Sequence, residues 1–216
     1  MGISQSSIGI NIILIFHLIL GSALSSAGVS TLNEYLEANL DGRMKRTRNR
    51  PIPSGKIKSS HALILGLTVS ILGVSELFIF VNKLAGLLSL STILLYLFIY
   101  TPLKRKSEWN TLIGAIPGAL PPIGGWVAAT GSIGTGAWIL FGILFFWQIP
   151  HFLAIAWLYR EDYSRAGFKM ITTGENYEIR VKWYIGLFTL GMVITSLLPT
   201  LLGILGSLYL IGISIT

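Results

Sequence analysis

Residues Ala137 to Leu158 read AWILFGILFFWQIPHFLAIAWL, a run of 22 positions without a carboxylate, lysine or arginine. At 1.5 Å of rise per residue, a helix of that length covers the roughly 30 Å of hydrocarbon in a bilayer. Working outward, the same reading recovers Ile8 to Ser30, Ala62 to Val81, Leu84 to Thr101, Leu112 to Thr130 and Trp183 to about Leu205. The whole chain of 216 residues is 52% hydrophobic and 12% charged, with mean hydropathy +0.71. That composition excludes an ordinary soluble domain and a disordered tail, and it predicts an all-α, polytopic transmembrane helical bundle with six to seven spans. Gly and Ser recur within the spans, as they do where helices pack closely in lipid.

The formal charge of +7 is confined to the connections. Arg43, Lys45, Arg46, Arg48, Arg50, Lys56 and Lys58 follow the first span. Lys104, Arg105 and Lys106 follow the third, and Arg160, Arg165, Lys169, Arg180 and Lys182 follow the fifth. Of the 16 basic residues only Lys83 falls on the opposite side, so the positive-inside rule makes the basic loops cytoplasmic. No groove-reading module accompanies this charge, and no nucleic-acid partner is expected. Zero cysteines exclude disulfides, thiolate metal sites and Cys nucleophiles, which leaves histidines and carboxylates for any metal chemistry. Met1 then lies outside, heading an apolar span with no basic n-region, which argues against a cleaved signal peptide. The apolar stretch after Gly206 stops too soon to cross again. The expectation is therefore one transmembrane domain over residues 1–216, truncated at both ends.

Chemistry concentrates in Leu32-Asn33-Glu34-Tyr35-Leu36-Glu37-Ala38-Asn39-Leu40-Asp41, followed by the basic run Arg43 to Arg50. If the first helix continues through it, Asn33, Glu37 and Asp41 stack at i, i+4 and i+8 on one face. An amide oxygen and two carboxylates suit Mg²⁺, which is commonly shared with substrate phosphates. Acids and bases together fit a metal diphosphate better than a bare anion. The alternative is an amphipathic juxtamembrane helix whose bases meet anionic lipid headgroups. Two further polar clusters on the same side, Tyr100 to Lys106 and Tyr159 to Arg165, favour a shared mouth over that alternative.

Inside the membrane, His151 sits in Trp147-Gln148-Ile149-Pro150-His151-Phe152, where Pro150 frees a backbone carbonyl. The histidine bonds that carbonyl as a packing residue, contacts a flat, aromatic or metal-bearing ligand, or transfers a proton. His17, alone among Leu, Ile and Phe, and His61, at a helix start, read as structural. Glu76 lies near the outer boundary and is expected to snorkel toward Lys83 and water. Gly114 to Gly125 holds too many Gly and Pro residues for an undistorted helix, so protein or a cavity is expected beside it.

These residues resemble the UbiA superfamily of intramembrane prenyltransferases and, within it, the protoheme IX farnesyltransferase (heme O synthase) subfamily. The resemblance runs from about Leu18 to Ile171. It rests on Asn33-xxx-Glu37-xxx-Asp41, the stretch Arg43 to Pro51, Tyr100-Thr101 with Lys104-Arg105, Asn110, Gly114 to Gly125, Trp147 to Phe152, and Asp162-Tyr163 with Ala166-Gly167. It departs from the superfamily at Glu37 and Asn39, where aspartates are usual, and at Ala166, which replaces the second acid of the second motif.

The resemblance implies a bundle of about nine spans around a central cavity open to the cytoplasmic mouth, in a multi-pass protein of the bacterial inner membrane. It implies farnesyl transfer from farnesyl diphosphate to a vinyl group of protoheme IX with addition of water, giving heme O and diphosphate. Asn33, Glu37, Asp41 and Asp162 are then the catalytic, Mg²⁺-binding set, with Glu161 as a further contributor. Arg46, Arg50, Lys104 and Arg105 take the diphosphate, and His151, Trp147 and Gln148 meet the heme. Proteins of heme A formation or a terminal oxidase are the implied partners. Two other functions stay open: prenylation of an aromatic acid or chlorin precursor, and a transporter or heme-carrying scaffold that forms no bond. Against the last, no inverted repeat is apparent and most polar groups lie at one membrane face.

Overall fold

The computed structural model describes residues 11–173, 176–206, 208–210 and 212. Among the described residues, six helices are long and apolar enough to cross a membrane: Ile12–Asp41, Ser59–Val81, Lys83–Lys106, Asn110–Thr130, Thr135–Leu158 and Tyr177–Leu201. The first of these is α1. The second is α2 (Ser59–Glu76) closed by a widened turn at Leu77–Val81, and the third is α3 (Lys83–Leu94), a widened turn at Leu95–Tyr100 and α4 (Thr101–Lys106). The chain continues through α5 (Asn110–Thr130), α6 (Thr135–Leu158), the short α7 (Arg160–Ala166) and α8 (Tyr177–Leu201). Ile8 to Ile10, at the head of the expected first span, lie outside the described residues. The last span starts earlier than the hydropathy reading placed it, because Glu178, Arg180 and Lys182 continue the helix toward water.

Short-range chemistry sets the boundaries. Asn11 and Asn82 cap α1 and α3, their side chains accepting from the backbone N–H groups of Leu14 and Ala85. Asn82 also donates to the Val127 carbonyl at 3.0 Å, which ties the α2–α3 turn to the far end of α5. Gly131, at φ 74°, ends α5 in the left-handed conformation that glycine adopts without strain.

Helices α1 and α2 meet along small residues. Gly21, Ser25 and Gly28 of α1 face Leu77, Gly73 and Ser70, and Gly66 admits Leu32. Backbones approach closely along such a seam, and dispersion contacts replace the hydrophobic drive that lipid does not supply. Leu32, Ile93 and Leu97 form one buried cluster, and Ala115, Ile149, Leu153, Ile171 and Val181 another. The outward residues include Ile12, Phe98, Trp183 and Leu201, all large and apolar, as a lipid-facing surface requires.

One expectation holds and another changes. Helix α5 is continuous from Asn110 to Thr130 despite Pro117, Pro121 and Pro122. Its glycines let neighbours close over it: Tyr100 packs against Gly114, and Gln148 against Gly118. A cavity does lie beside this run, as expected. Glu76 does not snorkel toward Lys83. It accepts from His17 Nδ1 at 2.7 Å, and the imidazole stacks on Phe80. A partner on the adjacent helix satisfies the carboxylate inside the bundle, which is less costly than leaving it to reach for water.

Candidate active site

Alternating helix directions bring the basic connections to one end. Lys169 N–H donates to the Lys104 carbonyl at 2.8 Å, and buried Asn110 donates to the carbonyls of Ser107 and Lys169 at 2.7 Å each. Arg46 N–H donates to Asp162 at 3.1 Å. The connections after the first, third and fifth spans are thereby laced into one mouth.

Helix α1 does run on through the acidic stretch, and Asn33, Glu37 and Asp41 share its inward face. Glu37 and Asp41 are buried and Asn33 half-buried, whereas Leu36 and Asn39 point out. Asn33 Nδ2 donates to Glu37 Oε2 at 3.0 Å, and its Oδ1 accepts from the Thr101 hydroxyl at 3.0 Å. Lys104 Nζ donates to both Glu37 oxygens, at 2.9 and 3.0 Å, while lying 4.6 Å from the centre of the Tyr100 ring. The widened turn at Leu95–Tyr100 sets this register: both the N–H and the hydroxyl of Thr101 go to the Tyr96 carbonyl. An extra residue in the turn rotates the remainder of the helix about its axis, and such turns recur at functional positions.

Asp41, 1% exposed, closes α1 against Arg50 Nη1 at 2.8 Å, and the Thr47 hydroxyl donates to the Asp41 carbonyl at 2.9 Å. The loop after α1 therefore folds back over the helix end instead of leaving it. Across the mouth, Asp162 accepts from Arg46 N–H and from Arg165 at 2.9 Å. Partial desolvation pushes its carboxyl up, but the Arg46 and Lys45 backbone N–H groups and the Arg165 charge together hold it below the usual carboxylate range. The Arg46 guanidinium lies over Tyr159, 4.7 Å from the ring centre, and donates to the Tyr163 hydroxyl at 3.1 Å. Arg105 and Glu161 are exposed.

Two spaces adjoin this cluster. A pocket of about 540 Å³ opens between the loop after α1 and α7, with Arg46 and Asp162 in its wall. A mostly apolar cavity of about 300 Å³ lies within the membrane between α1, α3 and α5. Its wall on α1 runs from Leu18 to Val29, and Val29 is one helical turn before Asn33.

The expected heme contacts divide. Trp147 and His151 are exposed on α6 and stack at 4.9 Å between ring centres, with their planes 13° apart. Gln148 is buried, donating from Nε2 to the Ala115 carbonyl at 2.8 Å. Consecutive helical residues point about 100° apart, so Gln148 faces α5 while Trp147 faces away. Three side chains escaped assignment from sequence: Thr101 and Asn110, whose roles depend on distant partners, and Tyr159, whose ring position shows only once Arg46 is placed.

Among the described residues, no three His, Asp or Glu side chains converge. The donors are instead the Asn33–Glu37 pair, Asp41 one turn on, and Asp162 opposite, each acid held against cations. All carry oxygen donors, a chemistry suited to an ion such as Mg²⁺ that takes one or two carboxylates and fills its sphere with water and phosphate. Paired acids and bases at the end of a helix whose preceding turns line an apolar cavity suit an anionic headgroup on a hydrocarbon tail.

Comparison with known proteins agrees. The UbiA prenyltransferase family matches residues 3–216. The chain is similar to proteins named protoheme IX farnesyltransferase: 42% identical over 203 residues to that of Solibacter usitatus, covering 94% of this chain and 70% of the relative. For Opitutus terrae the figures are 44% over 199 residues, 92% and 68%, and for Salinibacter ruber 44% over 195 residues, 90% and 69%. No solved structure matches the chain. With the family match spanning nearly the whole sequence and relatives above 40% identity, this chain belongs to the UbiA prenyltransferase family.

Proposed function

We propose that the protein transfers the farnesyl group of farnesyl diphosphate to a vinyl group of protoheme IX with addition of water, giving heme O and diphosphate. The single observation that supports this most is the mouth itself: three buried acids, each neutralised by a cation or N–H donors, gather beyond an apolar cavity whose α1 wall ends one helical turn before Asn33. Residues 1–216 act in this reading as one transmembrane domain whose mouth faces the cytoplasm.

Asn33, Glu37, Asp41 and Asp162 are the donors for Mg²⁺, which when bound neutralises the departing diphosphate. Lys104 and Arg50, already poised at Glu37 and Asp41, turn to the diphosphate oxygens, joined by Arg46 and Arg105. The cavity lined by Val29, Ala85 and Leu120 takes the isoprenoid tail and keeps water from the allylic cation. The C–O bond of the diphosphate ester breaks with its electron pair going to oxygen. The vinyl π pair then bonds the farnesyl terminus, water adds to the carbon next to the macrocycle, and a proton leaves. His151 and Trp147 offer the heme a flat aromatic face, with the imidazole as an orienting group or iron ligand. Proteins that form heme A or assemble a terminal oxidase are the expected users of the product.

The test is product formation by the purified protein in lipid nanodiscs, supplied with protoheme IX, farnesyl diphosphate and Mg²⁺. Heme O detected by mass spectrometry, lost in Asp41→Ala and on chelation, supports the reading. Near-normal turnover of Asp41→Ala at ordinary Mg²⁺ removes the metal assignment, and His151→Ala with unaltered heme affinity removes the histidine.

A further inference from the structure

Trp147, His151 and Leu158 of α6 stand at i, i+4 and i+11, which places them within about 40° of one another on the helix surface. All three are exposed, so they form one stripe on the side of α6 that neither α5 nor α8 covers. At its end, Leu158 lines the 540 Å³ pocket, whose charged wall consists of Lys45, Arg46, Arg160, Arg165, Glu161 and Asp162. Four cations face two carboxylates there. Asp162 is already satisfied by Arg165 and the Arg46 N–H, so the excess positive charge resides on Lys45, Arg46 and Arg160. Arg160 is held at the rim by its bond to the Trp157 carbonyl at 3.2 Å, and Arg46 by the rings of Tyr159 and Tyr163.

An aromatic stripe that ends in an excess of two positive charges complements a flat macrocycle bearing two carboxylates on one edge. We infer that Lys45 and Arg160 capture the two propionates of the porphyrin acceptor, with the macrocycle laid along Trp147 and His151. This rests on the proposed heme acceptor and assigns its carboxylate edge. Charge-assisted bonds at the water boundary hold that edge, and the opposite, vinyl-bearing edge points down α6 into the water-poor interior. The pocket thereby fixes the orientation of the porphyrin along α6.

The test is absorbance titration of the purified protein in nanodiscs with protoheme IX and with its dimethyl ester, in which both propionates are capped. The double variant Lys45→Gln/Arg160→Gln should weaken protoheme binding about tenfold while leaving the diester and farnesyl diphosphate affinities in place. Lys45→Arg/Arg160→Lys should retain the preference for the diacid. Equal affinity of the wild type for diacid and diester overturns the inference. So does equal weakening of both in the Gln variant, or a fall in farnesyl diphosphate affinity instead, which would give the pocket to the diphosphate or to anionic headgroups. Failure of the wild type to make farnesylated heme while still preferring the diacid removes the proposed reaction and leaves this site standing.

Discussion

Lys104 Nζ sits 2.9 and 3.0 Å from the two carboxylate oxygens of Glu37, with both side chains largely withdrawn from solvent. Removing one member of such a pair leaves a buried charge uncompensated, which typically costs about 3–5 kcal/mol, whereas removing both is far milder. Lys104→Met should therefore lower the melting temperature sharply. Lys104→Met/Glu37→Gln should regain most of that stability while staying at least about 100-fold slower than wild type, as expected when donors at the site of developing charge are lost. Thermal melts and turnover on the same samples separate the two effects.

Asp162 carries a pH signature. Its carboxyl is held below the ordinary range, so the folded protein binds that proton less readily than the unfolded chain. The contact contributes stability above the ordinary carboxylate value near pH ~3.9, and loses it as pH falls through the lowered folded-state value. Asp162→Asn should melt below wild type near neutral pH, with the gap closing in acid. A gap that stays constant from neutral pH into strong acid would falsify the assignment.

At Gly28, a Cβ would collide with the backbone and hydroxyl of Ser70 on α2. Gly28→Val should cost about 1–3 kcal/mol by forcing the helices apart. Gly186→Ala, on α8 with nothing near the added carbon, should be neutral or stabilising by up to about 1 kcal/mol. Unfolding in mixed micelles compares them.

Within the membrane, Glu76→Ala strips His17 of its partner and should cost about 1–3 kcal/mol. Glu76→Gln keeps an acceptor and should recover most of it. Equal stability of the two variants would show that the pair is not held together in lipid.

Much of this architecture is visible in the chain itself because lipid imposes a simple rule: a span must be long and apolar, and its backbone must satisfy itself. Ala137 to Leu158 obeys it without ambiguity, and the bases after spans one, three and five mark the shared end. The inward acids were equally legible, since Asn33, Glu37 and Asp41 need only a continuous helix to share a face. The hidden part depends on rotation and distant partners. The turn at Leu95–Tyr100 adds a residue that no hydropathy pattern reveals, and it decides that Thr101 and Lys104 meet Asn33 and Glu37. Gln148 reads as a companion to His151 because they are close in sequence, yet its amide turns to the Ala115 carbonyl of α5. Glu76 looked solvent-seeking because its partner lies 59 positions away.

Helix α1 forms the wall of the apolar cavity at Leu18 to Val29 and then, unbroken, presents Asn33, Glu37 and Asp41. Head and tail of any lipid held there are thus registered against one rigid rod, at 1.5 Å for every residue. An insertion of a single residue between Val29 and Asn33 would shift that spacing slightly but swing the acids about 100° around the helix axis. The helix acts as a gauge whose tolerance is angular, so this interval admits substitution far more readily than any change of length.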